Sequence, residues 1–221
     1  HPVLTVDVSL RHEREVLKRQ KPGTISPAPE PFVPEIPRSR LSARPIIVGA
    51  GPAGLFAALL LAEAGACPIL LERGESVEKR EETVRALISR GILNPESNVQ
   101  FGEGGAGTFS DGKLTTGIKN PWQRYVLESF VRFGAPEEIL IDQKPHIGTD
   151  LLRIVIRRMR EHILALGGEG HFETRADRLL IRGDHVEGVE ATEKGVQPVY
   201  TGSAVFLCIG HYSPDPDRAL F

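Results

Sequence analysis

Three glycines, Gly49, Gly51 and Gly54, stand in a G-x-G-x-x-G spacing where backbone could meet a phosphate. They follow Ile46-Ile47-Val48, an uncharged β-branched run of the kind a strand buried on both faces carries. They open an Ala- and Leu-rich helix, Ala53 to Ala64, which Gly65 ends. The first glycine permits the tight turn out of the strand, the second lets a pyrophosphate approach the backbone, and the third lets helix and strand pack closely. Pro52 and Ala53 lie at the helix start, whose amides and dipole favour phosphate. A second strand, Pro68 to Leu71, ends in Glu72, 23 residues after Gly49, near the distance at which an acid meets a ribose hydroxyl. An acid there accepts from a free 2′-hydroxyl and repels a 2′-phosphate, which disfavours NADP. Residues 46 to 72 therefore read as one βαβ unit built to hold a dinucleotide.

A second stretch, Asn98 to Leu114 (NVQFGEGGAGTFSDGKL), is dense in glycine. Glycine loses more conformational freedom on folding than any other residue, so such a cluster marks backbone that must lie close to something flat or anionic. Its amides and small hydroxyls could cradle a diphosphate or the edge of a flavin ring, with Val99, Phe101 and Phe109 as anchors. Lys113 could place positive charge near a reduced flavin. Arg80, on the polar helix that follows Glu72-Arg73-Gly74, reads either as a solvated charge or as a cofactor contact. His146, in a loop just before a helix start at Thr149 or Asp150, is the candidate proton carrier, or else a histidine that only bonds the loop backbone.

The elements that position these residues follow from pattern. The helix after Gly74 runs from about Glu75 to Arg90 with Val77, Val84, Leu87 and Ile88 inward. Another spans Trp122 to Phe133, closed by Gly134. A long amphipathic helix follows Thr149 or Asp150, with Leu151, Val155, Met159, Ile163 and Leu166 as its buried stripe and Gly167-Gly168 as its end. Arg153, Arg157, Arg158 and Arg160 then make a solvated outer face. Arg178 to Arg182, the turn Gly183-Asp184 and Val186 to Ala191 form a hairpin-like pair. The uncharged Ala204 to Ile209, ended by Gly210, returns to the buried sheet, so the hairpin is an excursion from one fold. The class is α/β, a Rossmann-like FAD/NAD(P)-binding domain with a parallel central sheet.

With 221 residues, 40% apolar and 25% charged, the chain has an ordinary soluble composition. A net charge of −2 gives no reason to expect nucleic acid or an anionic membrane as partner. Ile46 to Gly65 is apolar, but its glycines and proline fit a turn and helix better than a membrane span, and no signal-peptide pattern is visible. Cys67 and Cys208 stand far apart with no C-x-x-C, which points to two reduced thiols, no dithiol chemistry and a cytoplasmic setting. No metal-ligand pattern stands out. At the start, Val3 to Val8 reads as a strand and Arg11 to Arg19 as a short helix. Seven prolines between Lys21 and Pro45 then read as an extended linker. The expected organisation is a remnant of a small domain at 1–20, a linker at 21–45 and a dinucleotide domain at 46–221.

Gly49-x-Gly51-x-x-Gly54, Ala58, Gly65 and Glu72-Arg73-Gly74 together resemble the FAD-binding opening of the glutathione-reductase-like flavoproteins. Residues 98–114 and KPHIGTD at 144–150 are similar to the bacterial family of uncharacterised FAD-dependent dehydrogenases. The resemblance implies FAD as cofactor and oxidoreductase chemistry with a small-molecule substrate or electron donor. It implies that Gly49, Gly51, Gly54 and Glu72 serve the ADP half, with Pro52, Ala53, Arg73 and Arg80 as further cofactor-binding candidates. Gln100, Gly104, Gly105, Ala106, Gly107, Thr108, Asp111, Gly112 and Lys113 would serve the flavin half, and Gly210 would pass near the cofactor. Proteins of that family are longer at both ends, so the chain is expected to be a fragment whose FAD domain is incomplete at its C-terminal end. The rival expectations are an NAD-binding enzyme of the same fold, which would have less need of the second glycine-rich loop, and a non-catalytic nucleotide-binding remnant.

Overall fold

A computed structural model describes residues 6–19, 25–28, 32–110, 112–114, 120–141 and 145–210. The chain divides into two units, 1–33 and 34–221. Among its described residues the first holds α1 (Glu13–Arg19), a short helix with no buried residue. Of the strand expected at its start, residues 3–5 lie outside the described residues, and Val6 to Val8 are exposed and form no strand. The second unit runs β1 (Ile46–Val48), α2 (Pro52–Glu63), β2 (Ile69–Leu71), α3 (Val77–Arg90), α4 (Trp122–Arg132), α5 (Thr149–Ala165), β3 (Glu169–His171), β4 (Thr174–Arg182), β5 (His185–Glu193), β6 (Val199–Thr201) and β7 (Val205–Leu207).

Alternation along three-residue strands builds the layers. β1, β2, β3 and β7 form one parallel sheet in the order β3-β2-β1-β7, with Ile47 opposite Leu70 and Phe206. Successive side chains point to opposite faces. Ile47 and Leu70 thus join the core made with α2, α4 and α5, where Leu55, Leu59, Val155 and Met159 are buried. Ile46, Val48, Ile69 and Leu71 face the other way and pack with Val189, Leu179 and Tyr200 of the antiparallel sheet β4-β5-β6. The unit is three layers: helices, parallel sheet, antiparallel sheet.

Helix faces depart from the expected stripes in two places. On α3 the buried positions are Val77, Arg80 and Val84, while Ile88 is exposed. The 3-and-4 spacing of Val77, Arg80 and Val84 marks the inner face, and Ile88 lies one turn past the point where the helix leaves the core. On α5 the stripe is Leu152, Val155, Ile156, Met159 and Ile163, with Leu151 and Leu166 exposed. Gly148, with φ of 76°, caps that helix in place of Thr149 or Asp150. Its arginines are not all solvated: Arg160 pairs with Glu78 and with the buried Glu103.

The end of the proline-rich stretch is docked. The Ser39 amide donates to the Ala64 carbonyl, and Arg44 bonds the Cys67 carbonyl and Glu169. The Ser203 hydroxyl donates to the Ala43 carbonyl.

Candidate functional site

At the carboxyl ends of β1, β2 and β7 the chain opens a cleft of about 960 Å³, the place where parallel sheets of this kind hold ligands. Its floor is Val48, Gly49 and Gly51 to Ala53. Glu72 and Arg73 form one wall, and Gln100 to Gly102 with Gly105 and Ala106 form another. Thr174 to Asp177 and Leu207 to Gly210 complete it.

The three glycines of the first loop differ in what requires them. A Cβ on Gly49 would stand 2.6 Å from the Cys208 carbonyl oxygen, and the residue has φ of +100°. A Cβ on Gly54 would fall inside the Gly49 carbonyl oxygen. These two are demanded by the fold itself. Gly51 is not: it has φ of −68°, which any residue adopts, and a Cβ there would meet nothing within 4 Å. Pro52 opens α2, no side chain caps the helix and no acid lies in its first turn. The amides of that turn are thus left for a ligand.

Glu72 is buried, and each of its oxygens accepts from a main-chain amide: Ala50 at 2.6 Å and Gly74 at 2.7 Å. Each carboxylate oxygen keeps a further lone pair. Burial raises its pKa above the ordinary carboxylate value, with the two amides and then Arg80 and Arg73 pulling the other way. Arg73 pairs with Glu96.

The second loop lies on the first. The Gly104 amide donates to the Ala50 carbonyl at 2.8 Å, and a Cβ on Gly105 would stand 2.9 Å from Pro52 Cδ. Arg80 is fully buried, so the solvated reading does not hold. Its guanidinium donates to the carbonyls of Asn98 (2.8 Å), Val99 (3.0 Å), Glu103 (2.7 Å), Gly105 (2.9 Å) and, more weakly, Gly102 (3.4 Å). It also lies over the Phe109 ring, 4.6 Å from the centroid. Burial lowers its pKa to about 10, opposed by Glu72 and Glu103, so it stays charged at neutral pH. Glu103 is likewise buried; one oxygen accepts from the Val77 amide (2.7 Å) and Arg160 (2.8 Å), and the other has no partner among the described residues. Burial pushes its pKa up to about 7, opposed chiefly by Arg160 and the Val77 amide.

Of the expected residues, Gly49, Gly51, Pro52, Ala53, Glu72, Arg73, Gln100, Gly105, Ala106 and Gly210 line the cleft. Gly54, Arg80, Gly104 and Thr108 are buried behind it. Gly107 is exposed outside its lining. Gly112, Lys113 and His146 lie outside its lining, in a short antiparallel pairing: Lys113 is bridged to His146, and the Ile147 amide donates to the Gly112 carbonyl at 3.1 Å. His146 is exposed and is not part of the lining. Asp111 lies outside the described residues. Ile209 and Phe101, the one beside Gly210 and the other an anchor of the second loop, line it as well, and the lining residues not expected are Pro95, Glu96, Thr174 to Asp177, Leu207 and Cys208. Any backbone leaving the carboxyl end of a strand in this sheet borders the crevice, and that rule reaches 207–209 and the segment after β3.

Fold and cleft define a dinucleotide-binding α/β protein. Residues 43–92 match the family model described as the FAD binding domain, and this supports FAD as cofactor. An uncharacterized protein of Clostridium beijerinckii is 48% identical over 181 residues, which cover 82% of this chain and 33% of that protein. The chain thus spans about a third of the length of the curated relative it matches. Among solved structures, THI4 of Thermovibrio ammonificans aligns with 16% identity and a TM-score of 0.49, over 77% of this chain and 58% of that one. The GidA-related protein of Thermus thermophilus aligns with 19% identity and a TM-score of 0.42, over 76% and 53%. Among the described residues no helix is long and apolar enough to cross a membrane, and no cluster of three or more His, Cys, Asp or Glu could hold a metal ion.

Proposed function

We propose that this chain is the cofactor-holding part of an FAD-dependent oxidoreductase, a dehydrogenase that exchanges hydride or electrons with a small-molecule substrate or electron donor in the cytoplasm. Gly51 carries the reading. Neither its backbone angles nor its packing requires glycine, yet it lines the cleft at the start of α2. The empty space beside its Cα is room for a pyrophosphate at van der Waals distance. The match of 43–92 to the FAD binding domain and the second loop stacked on the first support FAD over NAD.

Bound FAD supplies the isoalloxazine that accepts and returns hydride or electrons. The chain's own part is to hold and orient. The first-turn amides of α2 take the pyrophosphate, and Glu72 takes the ribose with the lone pairs its two amides leave. Gly105 and Ala106 border the flavin half. Two free, half-buried cysteines agree with a reducing compartment.

The test is the visible spectrum of the purified chain with titration calorimetry against FAD and NAD. FAD binding is expected, and Gly51→Ala should weaken it by about tenfold while leaving the ligand-free protein as stable or up to about 1 kcal/mol more stable. Binding of NAD alone, or undiminished FAD affinity in Gly51→Ala, would overturn the reading.

A further inference from the structure

Arg80 is a fully buried cation around which one loop is wrapped, and its role is not explained by the cleft lining, from which it is absent. Five carbonyl oxygens between Asn98 and Gly105 converge on its one guanidinium. A carbonyl that points inward fixes the rest of its peptide. In a trans peptide the C=O of one residue and the N–H of the next point in opposite directions. Drawing the Gly105 carbonyl onto Arg80 Nη1 at 2.9 Å therefore turns the Ala106 N–H away from the guanidinium. Ala106 is exposed, lines the cleft, and its N–H has no acceptor among the described residues. The turn that begins at Ala106 is anchored at its far end by Phe109, whose ring lies against Arg80 at 4.6 Å and Arg153 at 5.6 Å.

We propose that Arg80 is the positioning residue of the FAD site. By gathering the carbonyls of loop 98–105 inward, it fixes that backbone and presents the Ala106 amide to the ligand in the cleft, while the Gln100, Glu103 and Gly104 amides are taken by Asn98, Glu75 and Ala50. The inference rests on the reading of that cleft as an FAD site. It assigns Arg80 the part that a bound metal ion plays in other loops, a central cation that organises carbonyls, but with the planar fork of a guanidinium setting their directions. A lysine ammonium supplies the charge without that fork.

Arg80→Lys and Arg80→Ala in the 221-residue chain test this, with far-UV circular dichroism as the fold control. Arg80→Lys is expected to fold, to bind FAD at least about tenfold more weakly, and to shift the visible absorption of bound flavin. Millimolar guanidinium chloride, but not sodium chloride, should restore affinity and spectrum in Arg80→Ala. Should both variants fail to fold, hydrogen exchange in the parent decides: FAD must protect the Ala106 amide. Parent-like affinity and spectrum in Arg80→Lys, or an Ala106 amide left unprotected by bound FAD, would overturn the role of Arg80 while leaving FAD binding intact. A parent chain that binds no FAD would overturn both.

Discussion

Loop 49–54 and loop 98–109 meet over the same sheet edge, yet different physics holds each. The first is fixed by close packing: Gly54 sits on the Gly49 carbonyl, Gly49 on Cys208, and buried apolar residues lie below. No charge lies within it. The second is fixed by buried charge, with Arg80 inside the loop and Glu103 bound to α3 and α5. Packing holds a backbone by excluding every alternative, whereas buried charge holds it only while each ion keeps its partners. The first loop should therefore respond chiefly to added volume, with pH reaching it only through the Ala50 bond to Glu72, and the second should respond to pH through Glu103.

Gly54→Val breaks the packed side. A side chain there has no space without separating α2 from β1, so the expected loss exceeds about 4 kcal/mol in urea unfolding, with no FAD binding. Glu72→Ala acts at the polar support of the first loop. It leaves the Ala50 and Gly74 amides without their acceptor, and the loss should be about 3 kcal/mol of stability together with weaker FAD binding by calorimetry. A parent-like stability would show that water replaces the carboxylate at no cost.

The smallest effect sharpens the contrast through pH. Glu103 has its pKa raised from 4.5 to about 7, so the folded state holds its proton more tightly than the unfolded chain does. Its contribution to stability is full below pH 4.5 and is lost as pH rises through about 7. Between about pH 5 and 8 the parent should lose about 2 kcal/mol relative to Glu103→Gln, whose amide does not titrate. Equal slopes in the two proteins would remove Glu103 from the account.

The packed loop was legible in sequence because its causes are local. An uncharged β-branched run, a glycine spacing and an acid at the end of the next strand are all visible within 27 residues. The charged loop was visible only as glycine density, since a buried arginine and a solvated one look alike in a sequence. The clue to Arg80 was its place between Val77 and Val84 on the inner face of α3. β3 was also missed: Glu169-Gly170-His171 carries no apolar pattern, because the strand sits at a sheet edge and joins through backbone pairing to β2. Without β3 the path of Thr174 to Asp177 along the cleft could not be traced.

The docked stretch before β1 has a consequence for how the chain meets proteases. A peptide bond must be drawn out into an extended, unpaired form to enter a protease active site. The main-chain bond from Ser39 to Ala64, the Ser203 bond to Ala43 and the grip of Arg44 on Cys67 and Glu169 withhold 39–45 from that form. Trimming from the N-terminal side is therefore expected to slow near Ser39, seven residues short of the first strand of the nucleotide-binding sheet, which limited proteolysis with mass spectrometry of the fragments checks.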